Sequence, residues 1–119
     1  MANPVTWFEI IGADAAKLQK FYGEVFGWKL SPPNPQMANY SQLDNGGQGI
    51  PGGIGGEASD SARVSVYIEV DNPTAYLEKV NQAGGKTLMP ETQIMPDIAI
   101  AMFADPAGNV TGLMKANPQ

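Results

Sequence analysis

Residues 5–28, VTWFEIIGADAAKLQKFYGEVFGW, decide the fold of this 119-residue chain. Residues 5–11 are rich in β-branched and aromatic side chains, which favour a strand. Asp14 is a good helix N-cap, and Gly27 suits a left-handed end to that helix. Between these caps, apolar residues recur at helical spacing, so the stretch predicts a strand followed by an amphipathic helix. We expect the buried stripe of the helix to be Leu18, Phe21, Tyr22 and Val25.

A similar strand and helix follow in the second half of the chain. Residues 64–70 alternate between apolar and polar side chains, as expected of a strand with one buried face. Asn72 and Pro73 suit the start of a second helix, which Gly84 and Gly85 would end. We expect the core to receive the strand residues Val64, Val66, Ile68 and Val70 and the helix residues Tyr76, Leu77, Val80 and Ala83.

An offset of 58 positions, the separation of Ile10 from Ile68, superimposes the two halves. Further strands are predicted at 28–30 and 38–43, so each half is interpreted as strand, helix and three strands. One such unit cannot bury both its sheet and its helix, so the two halves should pack as one domain. We therefore predict a single α+β domain, 1–119, in which two tandem βαβββ modules pack with pseudo-twofold symmetry. Module 1 would span about 3–56 and module 2 about 63–116, joined by a glycine-rich linker at about 44–62.

Composition narrows the chemistry that this chain can perform. It contains no Cys and no His, which excludes disulfides, thiolate nucleophiles, histidine bases and metal sites built on those residues. Its net charge of −5 argues against a nucleic acid partner. The N-terminus lacks the pattern of a signal peptide, and the longest apolar run, 98–104, is too short for a membrane span. We therefore expect a cytoplasmic protein that does not bind a membrane.

Gly47, Gly49 and Gly52 match the GxGxxG spacing of dinucleotide-binding proteins. That motif needs a helix opening at its end, and Pro51 and the glycines that follow it prevent one. We interpret this glycine-rich stretch, through Gly56, as a mobile loop.

Four stretches carry a resemblance to a known superfamily: 7–10 with Asp14, 21–28 (FYGEVFGW), 70–71, and 105–109 (DPAGN). With the duplicated βαβββ order, they resemble the vicinal oxygen chelate superfamily, which includes glyoxalase I, extradiol dioxygenases and bleomycin-binding proteins. The resemblance covers nearly the whole chain. It implies a homodimer and a glyoxalase-like fold, in which the two modules form a pseudo-twofold curled mixed sheet with both helices on its convex side. The glycine-rich loop would lie over the central cleft of that sheet.

In the metal-dependent members of that superfamily, the ligands come from the first and last strands of each module. The resemblance places Trp7 and Ser65 at the first-strand positions, Gly112 at one last-strand position, and a residue within 51–53 at the other. None of these is a usual ligand of a first-row divalent metal. We therefore expect no metal and no other cofactor in the cleft.

The cleft is predicted to be lined by Trp7, Glu9, Ser65, Tyr67, Glu69, Met102, Gly112 and Met114. Trp7 could stack on a planar or cationic ligand, or it could fill the space of a metal. Tyr67 could donate to a ligand, or it could lie half-buried with its hydroxyl in water. Glu9 and Glu69 could act as general bases, or they could be solvated or paired with Arg63 or a lysine.

Three functions are consistent with these residues. The first is a metal-free protein that binds a small molecule, planar or cationic, in the cleft. The second is a cofactor-independent lyase or isomerase with Glu9 as its base. The third is a subunit that only assembles with partners.

Overall fold

The computed structural model describes residues 2–116 of the chain. The first half contains β1 (Val5–Ile11), α1 (Ala15–Phe26), β2 (Lys29–Leu30), β3 (Ser41–Asp44) and β4 (Gly52–Gly55). The second half contains β5 (Arg63–Val70), α2 (Pro73–Gln82), β6 (Lys86–Met95), β7 (Ile98–Ala104) and β8 (Val110–Lys115). The predicted α+β class is therefore confirmed, with the order βαβββ occurring twice. A short 3-10 helix, Pro35–Met37, interrupts the first repeat between β2 and β3.

The chain forms two compact units. The first unit is Trp7–Val64, and the second unit joins the residues up to Thr6 to those from Ser65 onward. In the first unit the strand order is β2-β3-β4-β1, and β4 runs parallel to β1. In the second unit the order is β5-β8-β7-β6, and β8 runs parallel to β5. Each unit thus places its last strand beside its first.

Both helices begin and end as the sequence predicts. The side chain of Asp14 accepts a hydrogen bond from the backbone N–H of Lys17, and that of Asn72 accepts one from Ala75. Gly27 ends α1 in the left-handed conformation, with φ at 69°. These caps satisfy backbone groups that a helix end leaves unpaired. Of the helices described within residues 2–116, neither has the length and apolar character needed to cross a membrane.

Each unit buries apolar residues between its helix and its sheet. In the second unit, Leu77 of α2 belongs to a buried cluster with Val70, Ala101 and Leu113. In the first unit the buried apolar residues are Ile10, Ile11, Ala15 and Ile54.

The predicted buried stripe of α1 is only partly buried. Leu18 and Tyr22 are half-buried, but Phe21 is 53% exposed and Val25 is 56% exposed. The sheet covers the side of α1 that carries Ala15, Leu18 and Tyr22, whereas Phe21 and Val25 lie on its flank. The expectation of one fully buried stripe is therefore wrong. Ala83, at the end of α2, is likewise exposed.

The predicted core face of β5 is wrong over its first half. Val64 and Val66 are exposed, at 71% and 40%, while Ser65 and Tyr67 are buried. Ile68 and Val70 do face the buried cluster, as predicted. Alternation identifies two faces of a strand, but it does not show which face the rest of the chain covers.

The prediction of a mobile loop around Gly52–Gly56 is also wrong, because Gly52–Gly55 is a fully buried strand. A Cβ atom on Gly52 would overlap the ring of Phe8, and one on Gly53 would overlap the ring of Tyr40. The glycines therefore leave room for two aromatic rings. The strand predicted at 38–43 begins later, at Ser41, because Ala38 and Asn39 adopt the left-handed conformation.

Candidate ligand-binding site

A hydrogen bond joins Trp7 and Tyr40 within the first unit. The indole Nε1 of Trp7 donates to the phenol oxygen of Tyr40 at 2.9 Å, and both side chains are half-buried. The opposite face of β1 carries Phe8, which contacts Trp28 on the α1 side. Trp7 and Phe8 therefore lie on opposite faces of β1.

Glu9 lies on the same face of β1 as Trp7 and forms an ion pair with Arg63. The Nη2 atom of Arg63 donates to Oε2 of Glu9 at 3.1 Å, and the side chains of Arg63 and Glu9 are 34% and 10% exposed respectively. The pairing with Arg63 that the sequence left as an alternative is thus present. The Nε atom of Arg63 is buried and has no hydrogen-bond partner among residues 2–116.

These four side chains, Trp7, Glu9, Tyr40 and Arg63, form the cluster that we call the Tyr40 site. Burial raises the pKa of the Tyr40 phenol well above its ordinary value, against the opposing effect of the hydrogen bond from Trp7. The negative charge of Glu9 raises this pKa further, and the positive charge of Arg63 lowers it. Tyr40 is therefore a neutral hydrogen-bond donor at physiological pH, and its O–H has no acceptor among the described residues.

The local backbone determines where Tyr40 lies. Ala38 and Asn39 have φ angles of 53° and 55°, which are unfavourable for residues with a Cβ atom. The side chain of Gln19 stabilises this turn by donating to the carbonyl of Asn39 at 2.8 Å. The Tyr40 ring then covers Gly53 and Gly55, where any Cβ atom would meet it at less than van der Waals distance.

The second unit aligns most of the remaining predicted residues in two rows across its strands. Tyr67, Gly112 and Met102 are register partners in one row, and Glu69 and Met114 are partners in the next. Tyr67 is only 4% exposed, so it is buried rather than half-buried with its hydroxyl in water. Its ring lies over Gly112, where a Cβ atom would overlap it.

Ser65 lies two residues before Tyr67 on the same face of β5. Its side chain is buried, and its hydroxyl has no hydrogen-bond partner among residues 2–116.

The strand register identifies the fourth position at which metal-dependent relatives would hold a ligand. Gly53 pairs with Glu9 in the first unit as Gly112 pairs with Tyr67 in the second, and Gly53 lies within the predicted range 51–53. The four equivalent positions are therefore Trp7, Gly53, Ser65 and Gly112. An indole, a hydroxyl and two glycines do not fit a divalent metal. Across residues 2–116, no group of three or more Asp and Glu side chains is arranged to hold one.

Sequence reasoning found Trp7, Glu9 and Arg63 but missed Tyr40. The sequence predicts a strand at Tyr40. The position of its side chain depends instead on a left-handed turn at Ala38 and Asn39, and neither of these residues is a glycine. The run of glycines at 52–56 is the feature of the sequence that could have indicated Tyr40. A buried strand of glycines leaves space above it, and bulky side chains from other parts of the chain must fill that space.

Comparisons with known proteins agree with this fold. Residues 5–44 match the family described as bleomycin resistance protein-like N-terminal. CFP32 of Mycobacterium tuberculosis, which carries a glyoxylase name, is 29% identical over 118 residues, covering 93% of this chain and 45% of CFP32. The anthracycline biosynthesis protein DnrV of Streptomyces peucetius is 26% identical, covering 86% of this chain and 43% of DnrV. The chain thus spans somewhat less than half the length of these two relatives.

A solved structure from Vibrio splendidus has a backbone similar to that of this chain. It belongs to the glyoxalase/bleomycin resistance protein/dioxygenase superfamily and superimposes with a TM-score of 0.68, at 15% identity, over 97% of this chain and 100% of that one. The backbone match covers both βαβββ repeats, whereas the family match lies within the first. The chain is similar to members of the glyoxalase/bleomycin resistance protein/dioxygenase superfamily in the sequence of residues 5–44 and in its fold.

Proposed function

We propose that this chain binds a small, planar, uncharged molecule against the Trp7–Tyr40 pair. The observation that carries the proposal is the hydrogen bond from Trp7 to Tyr40, at 2.9 Å. It fixes the indole ring and leaves the phenol O–H able to donate. An aromatic ligand could stack on the indole while a carbonyl or ether oxygen of the same ligand accepts from Tyr40.

The charges of the site favour a neutral ligand over a cationic one. Glu9 would be the natural partner of a cation, but Arg63 already neutralises it at 3.1 Å. A cation would have to compete with that guanidinium for the carboxylate. The relative DnrV also supports a planar ligand, because anthracyclines carry a planar fused-ring system.

The Arg63 ion pair also makes proton abstraction by Glu9 the weaker of the two proposals. A general base needs an oxygen within reach of the substrate proton, and Oε2 of Glu9 is engaged by Nη2 of Arg63. We therefore keep binding as the proposed function and make catalysis an outcome of the test. Glu9→Gln should leave ligand affinity largely intact. Turnover of a ligand, followed by NMR and abolished in E9Q, would instead favour a lyase or isomerase.

The binding test uses fluorescence, because the chain has only two tryptophans. Trp28 stacks on Tyr22 with ring centroids 5.1 Å apart, on the α1 side of the sheet, so Trp28→Phe is the matched control. In the W28F background we expect an uncharged fused-ring quinone, such as an anthracycline aglycone without its amino sugar, to quench the emission of Trp7 and to raise the melting temperature. Trp7→Phe should weaken binding about tenfold, in line with the loss of a large aromatic contact. A compound that raises the melting temperature of W28F without quenching Trp7, and binds W7F equally well, would place its site elsewhere.

A further inference from the structure

The turn at 44–47, which begins at the last residue of β3, brings reactive groups of neighbouring residues together. The backbone N–H of Gly46 donates to Oδ1 of Asp44 at 3.0 Å. The backbone N–H of Gly47 donates to Oδ1 of Asn45 at 2.9 Å. Because Gly47 follows Gly46, this second bond folds the amide of Asn45 back over its own peptide link to Gly46. The Cγ atom of Asn45 therefore lies beside the backbone nitrogen of Gly46.

Asn45 and Gly46 form the only Asn-Gly pair in the chain. Every other asparagine is followed by proline, which has no N–H, or by a residue whose side chain hinders approach to its backbone nitrogen. Glycine leaves that nitrogen open to close approach. Gly46 is exposed and Asn45 is half-buried, so water reaches both residues.

We propose that this turn is a site of self-modification, at which Asn45 loses ammonia and becomes aspartate or isoaspartate. In the first step the backbone nitrogen of Gly46 bonds to Cγ of Asn45, and a succinimide ring closes. The bond between Cγ and Nδ2 breaks with its electron pair on nitrogen. The proton of the Gly46 N–H passes to Asp44 and then to this nitrogen, which leaves as ammonia. In the second step a water molecule opens the ring at either carbonyl, and the product is aspartate or isoaspartate.

The hydrogen bonds of the turn assist the first step. Oδ1 of Asp44 lies within the distance at which a carboxylate can accept the proton of Gly46. The N–H of Gly47 stabilises the oxygen of Asn45 on which negative charge develops during the attack. Nδ2 of Asn45 donates to the carbonyl of Gly49 at 3.1 Å, which holds the amide in one orientation. The folded turn should therefore react faster than the same residues in an unfolded chain.

The reaction changes both the charge and the geometry of the connection between β3 and β4. A carboxylate replaces a neutral amide, so the net charge of −5 becomes more negative by one unit. The hydrogen bond to Gly49 is lost with Nδ2, and isoaspartate adds a methylene group to the backbone. Gln42 of β3 pairs with Gly53 of β4, over which the Tyr40 ring lies. The modified turn thus joins the two strands that carry the Tyr40 site.

The first experiment incubates the wild-type chain at mildly alkaline pH and follows its tryptic peptides by mass spectrometry. The peptide that contains Asn45 should gain one dalton with time, and fragment spectra should assign the gain to residue 45. Asn109 is the internal control, because it is followed by the β-branched Val110 and should keep its amide. A chain in which Asn45 reacts no faster than Asn109 would overturn the proposal.

The second experiment tests whether the fold promotes the reaction, since Asn-Gly pairs lose ammonia slowly in any peptide. Asp44→Asn keeps an acceptor for the N–H of Gly46 but removes the base, and should slow the reaction of the folded chain about tenfold. Asp97→Asn is the matched control, because it makes the same charge change at another exposed position, followed by Ile98. It should leave the rate at Asn45 unchanged.

The same comparison in guanidinium chloride removes the contribution of the folded turn. There the wild type should react more slowly than when folded, and D44N should react as fast as the wild type. An unfolded wild type that reacts as fast as the folded one would overturn the assisted reaction, and this result does not depend on any variant. Equal rates for folded wild type and folded D44N would overturn the role of Asp44 as the base.

Discussion

The two units solve the same packing problem with different tyrosines. In the first unit the ring of Tyr40 lies on Gly53, and in the second unit the ring of Tyr67 lies on Gly112. The glycines occupy equivalent positions of β4 and β8, but Tyr67 comes from the first strand of its unit, whereas Tyr40 comes from the turn before β3. In both units an aromatic ring must cover a glycine of the last strand. That ring can come from the first strand, as with Tyr67, or from a turn, as with Tyr40.

The polar groups around those rings differ more than the rings do. The 58-residue offset makes Ser65 the equivalent of Trp7 and Tyr67 the equivalent of Glu9 in the second repeat. In the first unit these positions hold an indole that donates to Tyr40 and a carboxylate paired with Arg63. In the second unit, two methionines of β7 and β8 take the neighbouring register positions on the same face, Met102 and Met114. The duplicated backbone therefore carries the Trp7–Tyr40 hydrogen bond in one unit and two polarizable methionine side chains beside Tyr67 in the other.

The largest effect that we expect comes from filling the space under either ring. Gly53→Ala and Gly112→Ala should each lower the free energy of unfolding by about 1–3 kcal/mol, because the new methyl group forces the tyrosine ring out of its position. Chemical denaturation monitored by circular dichroism measures this change.

Gly23→Ala is the matched control for both variants. A Cβ atom there would lie at an ordinary 3.5 Å from the carbonyl of Trp28, and Gly23 itself is inside α1. The substitution should raise stability by about 0.5–1 kcal/mol through helix propensity. If G53A is tolerated while G112A is not, the ring in the first unit is free to move and the equivalence of the two units is incomplete.

The difference between the units also explains what sequence reasoning could reach. Helix caps are local signals, and Asp14, Gly27 and Asn72 act as predicted. The 58-residue offset compares such signals between the two halves of the chain. The contact between Trp7 and Tyr40 spans 33 positions and depends on a turn at two non-glycine residues, 38 and 39. The spacing of apolar residues along the sequence does not predict such a contact. The exposed faces of α1 and β5 were misassigned because an apolar pattern shows that a face is apolar, not that it is covered.

A smaller effect should follow from removing the hydrogen-bond acceptor of the first unit. Tyr40→Phe keeps the ring over Gly53 but leaves the Nε1–H of Trp7 without its partner. We expect a loss of about 1 kcal/mol in the free energy of unfolding, since Trp7 is half-buried and water can partly replace the phenol.

A change in the emission wavelength of Trp7, measured with Trp28 replaced by Phe, should accompany that loss. Tyr67→Phe in the second unit is the comparison, and it should leave Trp7 emission in place. Unchanged emission in Y40F would mean that the indole does not depend on Tyr40.

An aspartate begins the turn before the last strand of each unit, Asp44 before β4 and Asp105 before β8. The two aspartates differ in the number of hydrogen bonds that they accept. Asp105 accepts from the backbone of Ala107 at 3.0 Å and from the backbone and side chain of Asn109, each at 2.8 Å, whereas Asp44 accepts one at 3.0 Å from Gly46. The hydrogen bonds from Asn109, followed by weaker ones from Ala107 and Gly108, lower the pKa of Asp105 below its ordinary value. A carboxyl whose pKa is lower in the folded state stabilises the fold above its unfolded pKa, about 3.9. That contribution is lost as the pH falls through the folded value.

The smallest effect that we expect follows from this difference between the turns. Asp105→Asn should reduce the melting temperature at pH 7 and converge with the wild type in strong acid, because the wild-type carboxylate is then protonated as well. Asp44→Asn, with fewer bonds to lose, should reduce the melting temperature less at pH 7. Thermal unfolding followed by circular dichroism across this pH range makes both comparisons. A deficit in D105N that is equally large at neutral pH and in strong acid would show that the turn is stabilised by the shape of the side chain and not by its charge.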